Sequence, residues 1–402
     1  MFPKATGILF LFCICQTTFL FSQDNYEMKP NSDETVIDFL SSYYNQNGDH
    51  SPVTGGIGTQ HLTDFATGIT VNVPLDTVNA LNISWGADFY SSASTDKIDN
   101  NVSSASSSDV RVYGTVGYNR KNLKRRETYG IHVGASKEYD YTSFDIGLSL
   151  TKEFNDDNTE ISFNGKVYLG NWKLIFPIEL RSEVKLPTDK RKSYNAQLVF
   201  SQVLTKRLQM SISGDIVYMR GLLSTPFHRV FFQDQSQHDI ERLPNTRLKI
   251  PIGIRLNYYP FDNFIIRSYY RFYTDDWGID AHTVVIETLV KITKSWTVQP
   301  FYRFHTQTQA DHFAAFGVNK ASQQYYTSDY DLADLHSHKV GMGLRYAPLY
   351  GLARIKLHLP KTKIFQLKSL EVRGGYYTQN TGLNSYFISL DLTMGIRNLT
   401  GN

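Results

Sequence analysis

Between Asp109 and Asn119 the chain alternates without a break. Val110, Val112, Gly114, Val116 and Tyr118 fall on one side, and Asp109, Arg111, Tyr113, Thr115 and Asn119 on the other. A period of two is that of a β-strand, whose successive side chains point to opposite faces. The rhythm returns after Asn158, where Ile161, Phe163, Val167 and Leu169 oppose Glu160, Ser162, Asn164 and Lys166. It returns again from Arg247 to Leu256. The apolar half of each run seldom carries a large polar interruption, which contact with lipid requires.

The start of the chain reads as a secretory signal: Lys4, an apolar run from Gly7 to Cys15, then polar residues from Ser22. The expectation is a signal at 1–23 and one barrel domain over 24–402. Cys13 and Cys15 both lie in that signal, so the mature chain has no thiol for a disulfide or a metal. Beyond it no run of about 18 apolar residues exists, so helices cannot span a bilayer. Only a closed barrel satisfies its backbone in lipid with strands. The net charge of +3 and the lack of any basic block beyond Lys124–Arg126 argue against nucleic acid as a partner.

Sixteen strands are expected, at 35–45, 66–75, 80–91, 109–120, 127–139, 143–153, 159–170, 193–204, 207–219, 247–259, 263–275, 282–293, 295–307, 339–347, 368–378 and 385–396. Tight connections alternate with mostly long ones, the latter at 46–65, 92–108, 171–192, 220–246 and 308–338. Transmembrane barrels have this asymmetry, with short periplasmic turns and long extracellular loops. Aromatics collect near strand ends, as in interfacial girdles: Tyr43, Phe89, Tyr218, Tyr258, Trp296, Tyr346 and Tyr376 are examples. The fold class is therefore all-β, a transmembrane antiparallel up-and-down β-barrel, with outer-membrane lipid as its surroundings.

Strand parity gives the inward residues. A basic wall is expected from Arg247, Lys249, Arg255, Arg267, Arg271, Arg303, Arg345 and Arg373, with Asp145, Glu160 and Asp215 as a more acidic wall. Walls of one sign bias which ions pass. Several histidines fall in expected loops with carboxylates, and His336 and His338 are the candidate metal pair. No catalytic residue is assigned: nucleophile-elbow and H-E-x-x-H motifs are missing. Gly55-Gly56-Ile57-Gly58 precedes a strand rather than a helix, so a tight turn explains it better than a phosphate cradle. No cofactor is implied.

The stretches His50–Asp64, Val71–Asp76 and Asp88–Asp99 resemble an uncharacterised family of Gram-negative outer-membrane proteins, a domain of unknown function. The resemblance implies a barrel exposed at the cell surface and no established substrate. The expected function is a porin-like channel for small solutes or ions. The alternatives are a plugged structural or assembly barrel working with envelope proteins, and a surface metal-binding or hydrolytic barrel.

Overall fold

A computed structural model describes residues 34–91, 109–180, 187–358 and 362–398. The expected signal, with both cysteines, and nearly all of the Ser-rich loop lie outside them. The strands are β1 (Glu34–Asp49), β2 (Thr59–Pro74), β3 (Asn79–Tyr90), β4 (Asp109–Asn122), β5 (Glu127–Lys137), β6 (Tyr141–Phe154), β7 (Thr159–Lys173), β8 (Thr188–Thr205), β9 (Leu208–Gly221), β10 (Arg229–Val230), β11 (Asp239–Ile240), β12 (Thr246–Phe261), β13 (Phe264–Asp275), β14 (Asp280–Lys291), β15 (Trp296–Gln307), β16 (Leu335–Tyr346), β17 (Ala353–His358), β18 (Thr362–Gln379) and β19 (Asn384–Asn398).

One sheet holds 17 strands, and β17 pairs within it only with β18. The other sixteen form a ring of antiparallel neighbours, in which β9 meets β12 and β16 meets β18. The ring closes where β1 lies along β19, from Glu34↔Arg397 to Asn47↔Asn384. Each of the sixteen expected segments is a strand of this ring. Within the connection at 348–367, β17 and the start of β18 form an extra hairpin, paired from Ala353↔Leu367 to His358↔Thr362. The start of β18 also continues the ladder with β19, from Lys363↔Asn398 to Leu367↔Met394, with a register shift between Leu367 and Ser369.

Closure puts one half of each strand outside. Leu148 and Ile388 on that face are 59% exposed, beside Phe144, Ile146, Ile252, Val340 and Met342. In water such a surface would associate; around a barrel it is the lipid-facing band. Outward aromatics form two belts. Tyr118, Tyr129, Tyr258, Trp296 and Tyr346 lie toward the rim that holds Glu34 and Asn398. Tyr43, Phe65, Tyr194, Tyr218, Tyr270, Tyr302, Tyr376 and Tyr386 lie toward the other.

The rim that holds Glu34 and Asn398 carries short turns. In the β2–β3 turn Asp76 accepts from the amides of Val78 and Asn79, both at 2.8 Å. In the β6–β7 turn Asn155, Asp156 and Asp157 all take positive φ, which Asn and Asp tolerate better than most residues. The opposite rim carries the loops at 50–58, 222–245 and 308–334.

Candidate functional site

Strand parity puts every residue of the expected basic wall on the inner face of β12, β13, β15, β16 or β18, out of phase with exposed Ile252, Tyr270, Tyr302, Leu344 and Val372. Their surroundings differ. Arg247 pairs with Asp275 at 2.5 Å and lies 4.2 Å from the centroid of the Trp277 ring. Arg267 and Arg373 share Glu287, at 3.3 and 2.6 Å. Arg373 also reaches Glu371 at 3.5 Å. Arg255 and Arg271 cover the rings of Tyr269 and Tyr273, at 5.6 and 5.7 Å. Arg345 donates to Ser369 at 3.4 Å. Lys249 lies opposite Asp275 in register, and Arg303 opposite Lys339, which adds a further base to this sector.

The three expected acids are also inward, but in a mixed setting. Asp145 is 2.9 Å from Lys166, Asp215 accepts from Gln197 at 2.8 Å, and Glu160 accepts from Ser162 at 3.0 Å. The larger acidic concentration lies elsewhere. Asp38, Asp64, Asp88, Asp109 and Asp391 face inward on β1, β2, β3, β4 and β19. At the end of β5, Glu138 accepts from Tyr90 at 3.0 Å and lies 3.6 Å from Arg111. Burial pushes Glu138 up to about 8, with Arg111 and the Tyr90 hydrogen bond opposing it. Arg111, 3.9 Å from Asp88, is a base set among these acids. Parity could have found Asp88 and Asp391. Asp64 escaped because β2 begins at Thr59, seven residues before the expected start at 66.

Four loops meet over the opening. Arg229 in the 222–245 loop is 3% exposed. It donates to Glu179 of the β7–β8 loop at 2.5 and 3.0 Å and to the carbonyl of Val53 in the β1–β2 loop at 2.7 Å. Strands β1 and β9 stand eight steps apart in a ring of sixteen, so loops leaving them can touch only by crossing the mouth. The approach is tight: a Cβ on Gly55 would come within 2.6 Å of the Phe231 ring. Gly55, Gly56 and Gly58 all have positive φ, in keeping with the turn expected there.

This cap has an interior of its own. Leu223 and Leu243 pack with Trp277, Ile279, Ala281, Ala310 and Leu332, against inward Met219 and Tyr273. Val53, Ile175 and Phe227 form a second cluster, and Val230, Phe232 and Tyr326 a third. Inward Gln307 anchors the 308–334 loop by donating to the carbonyls of Asp331 and Ala333, at 3.0 and 2.9 Å. Glu179 is held at about 2, chiefly by its hydrogen bond to Arg229, with burial working the other way.

His336 and His338 lie on the outer face of β16, not in a loop, with ring centroids 6.1 Å apart. His338 Nδ1 is 2.7 Å from the Tyr302 hydroxyl. Among the described residues, two groups of three ligand-type side chains converge: His228–Glu241–Asp329 and Asp109–Glu138–Asp140, all buried. Neither includes the expected pair.

The sequence matches the family described as "Protein of unknown function (DUF3570)" over residues 35–171 and 173–387. The chain belongs to that family. The match spans nearly the whole barrel, including the stretches that carried the resemblance. No curated protein matches the sequence. Among solved structures, it is similar to a bacterial polysaccharide outer membrane secretin at 10% identity and TM-score 0.46, covering 90% of this chain and 98% of that one. It is similar to OccK1 (OpdK) of Pseudomonas aeruginosa at 7% identity and TM-score 0.42, covering 90% and 98%. The siderophore receptor PirA of the same organism gives 8% identity and TM-score 0.40, covering 90% and 80%.

Proposed function

We propose that this chain is an outer-membrane channel for small anionic solutes, exported by a signal in residues 1–23, with a lumen charged in sectors and a mouth covered by its own loops. The observation that carries the reading is the segregation of charge on the inner face. Bases dominate from β12 to β18, and acids from β19 to β3, beside a mixed β4. A wall serving only as scaffold would do better to interleave its signs, because like charges set side by side repel. Segregation instead puts a field across the lumen, which sorts ions. Arginine's planar fork favours carboxylate and phosphate, so solutes bearing those groups suit the basic sector.

The test is the reversal potential across a bilayer with a salt gradient, measured on a refolded barrel in which residues 222–245 are replaced by a short turn and on the same barrel carrying R267Q/R271Q/R303Q. The channel reading expects the variant to shift severalfold toward cations. An unchanged ratio removes the basic sector from the account. A second reading, a plugged barrel that works with envelope partners, is favoured by the cap. It expects no conductance even when the cap is opened.

A further inference from the structure

The cap holds a buried polar group between two of its loops. His228 and Glu241 come from the 222–245 loop and Asp329 from the 308–334 loop. Their side chains are 7%, 0% and 4% exposed. His228 Nδ1 lies 3.3 Å from Glu241 Oε2 and 3.7 Å from Asp329 Oδ2, and the three ligand atoms fall within 4.8 Å of one another. Ligands ~2.0–2.2 Å from a tetrahedral ion stand about 3.4 Å apart, close to both separations measured from His228.

Two further observations point to a cation. Asp329 Oδ2 is buried and has no hydrogen-bond partner, although a buried polar atom ordinarily finds one. Among the described residues, neither Glu241 nor Asp329 has a lysine or arginine in ion-pair reach. Two buried carboxylates therefore face one imidazole. Burying charge without compensation is costly, and metal coordination is one of the ways proteins meet that cost. Glu241 is already oriented: its Oε1 accepts from the Thr225 amide at 3.0 Å, and its Oε2 lies 3.3 Å from Thr327 Oγ1.

We infer that His228, Glu241 and Asp329 bind a divalent first-row ion of the zinc type and that this ion clasps the 222–245 loop to the 308–334 loop. One imidazole with two carboxylates suits a borderline ion. On binding, the ion takes the imidazole nitrogen in its neutral form, and any proton held there leaves to solvent. The inference rests on the cap and not on the lumen conducting, so it stands or falls apart from the channel reading.

The experiment uses the full refolded barrel, stripped with a chelator and titrated with zinc chloride by calorimetry and by elemental analysis after gel filtration. One zinc per barrel is expected. H228A and D329N should each weaken binding by at least the ~10–100-fold that loss of an outer-sphere partner costs. A double H336A/H338A variant should bind like the wild type. Heat-modifiable migration checks that each variant is folded. Absence of zinc binding by the wild type overturns the inference, whatever the variants do. So does binding that survives D329N and disappears with the outer-face pair.

Discussion

The wall of the barrel and the cap over its mouth are built on opposite principles. The wall is held by neighbour-to-neighbour ladders, and its outer face is selected by lipid, position by position. The cap is held by contacts between distant loops, such as Arg229 to Val53, 176 positions apart. The wall can therefore tolerate loss of any one side chain inside it, whereas the cap depends on a few buried charges. The two should fail independently.

Arg229→Ala should break the cap with the largest effect. It removes the buried guanidinium that joins Glu179 to Val53; Glu179 itself is 28% exposed, so the loss stays below the about 3–5 kcal/mol of a fully buried pair. Loop 222–245 should become open to protease while heat-modifiable migration of the barrel stays unchanged. Loss of both together would mean that cap and wall are one cooperative unit.

Leu148→Arg probes the other side of the comparison. Leu148 lies midway along β6 on the lipid face. A charge near the bilayer midplane costs ~2–4 kcal/mol. The denaturation midpoint of the barrel in lipid should fall, whereas Ser149→Lys, one residue on and facing inward, should leave it near wild type. Equal effects would show that the faces are misassigned.

The smallest effect is on pH. Glu179 is depressed from its ordinary 4.5 to about 2 by Arg229. A depressed carboxyl contributes its full stability above 4.5 and loses it as the pH falls toward 2. Protease sensitivity of the wild-type cap should therefore rise below pH 4.5, and E179Q should flatten that dependence. A cap that loosens only above neutrality would contradict the pairing.

The same contrast explains what the sequence disclosed. Inside the bilayer, alternation is enforced by lipid, so all sixteen strands were legible. Beyond the bilayer the outward positions become polar, as with Thr59, His61 and Thr63 on β2, and the pattern fades although the strand continues. This is why β2 and β16 begin before their expected starts, and why His336 and His338 read as loop residues. Cap contacts leave no local pattern at all. Nothing near Arg229, Glu179 or Val53 announces the others, and His228 is joined to Asp329 only by the fold. The glycines at 55, 56 and 58 were legible because positive φ is a local requirement.

The most direct test of the central claim is single-channel conductance of the refolded chain beside a variant in which residues 222–245 are replaced by a short turn. A covered, charged lumen predicts a wild type that is silent or opens rarely, and a truncated barrel that conducts steadily with its selectivity set by the inner arginines. Equal, steady conductance from both would show that the loops do not close the mouth.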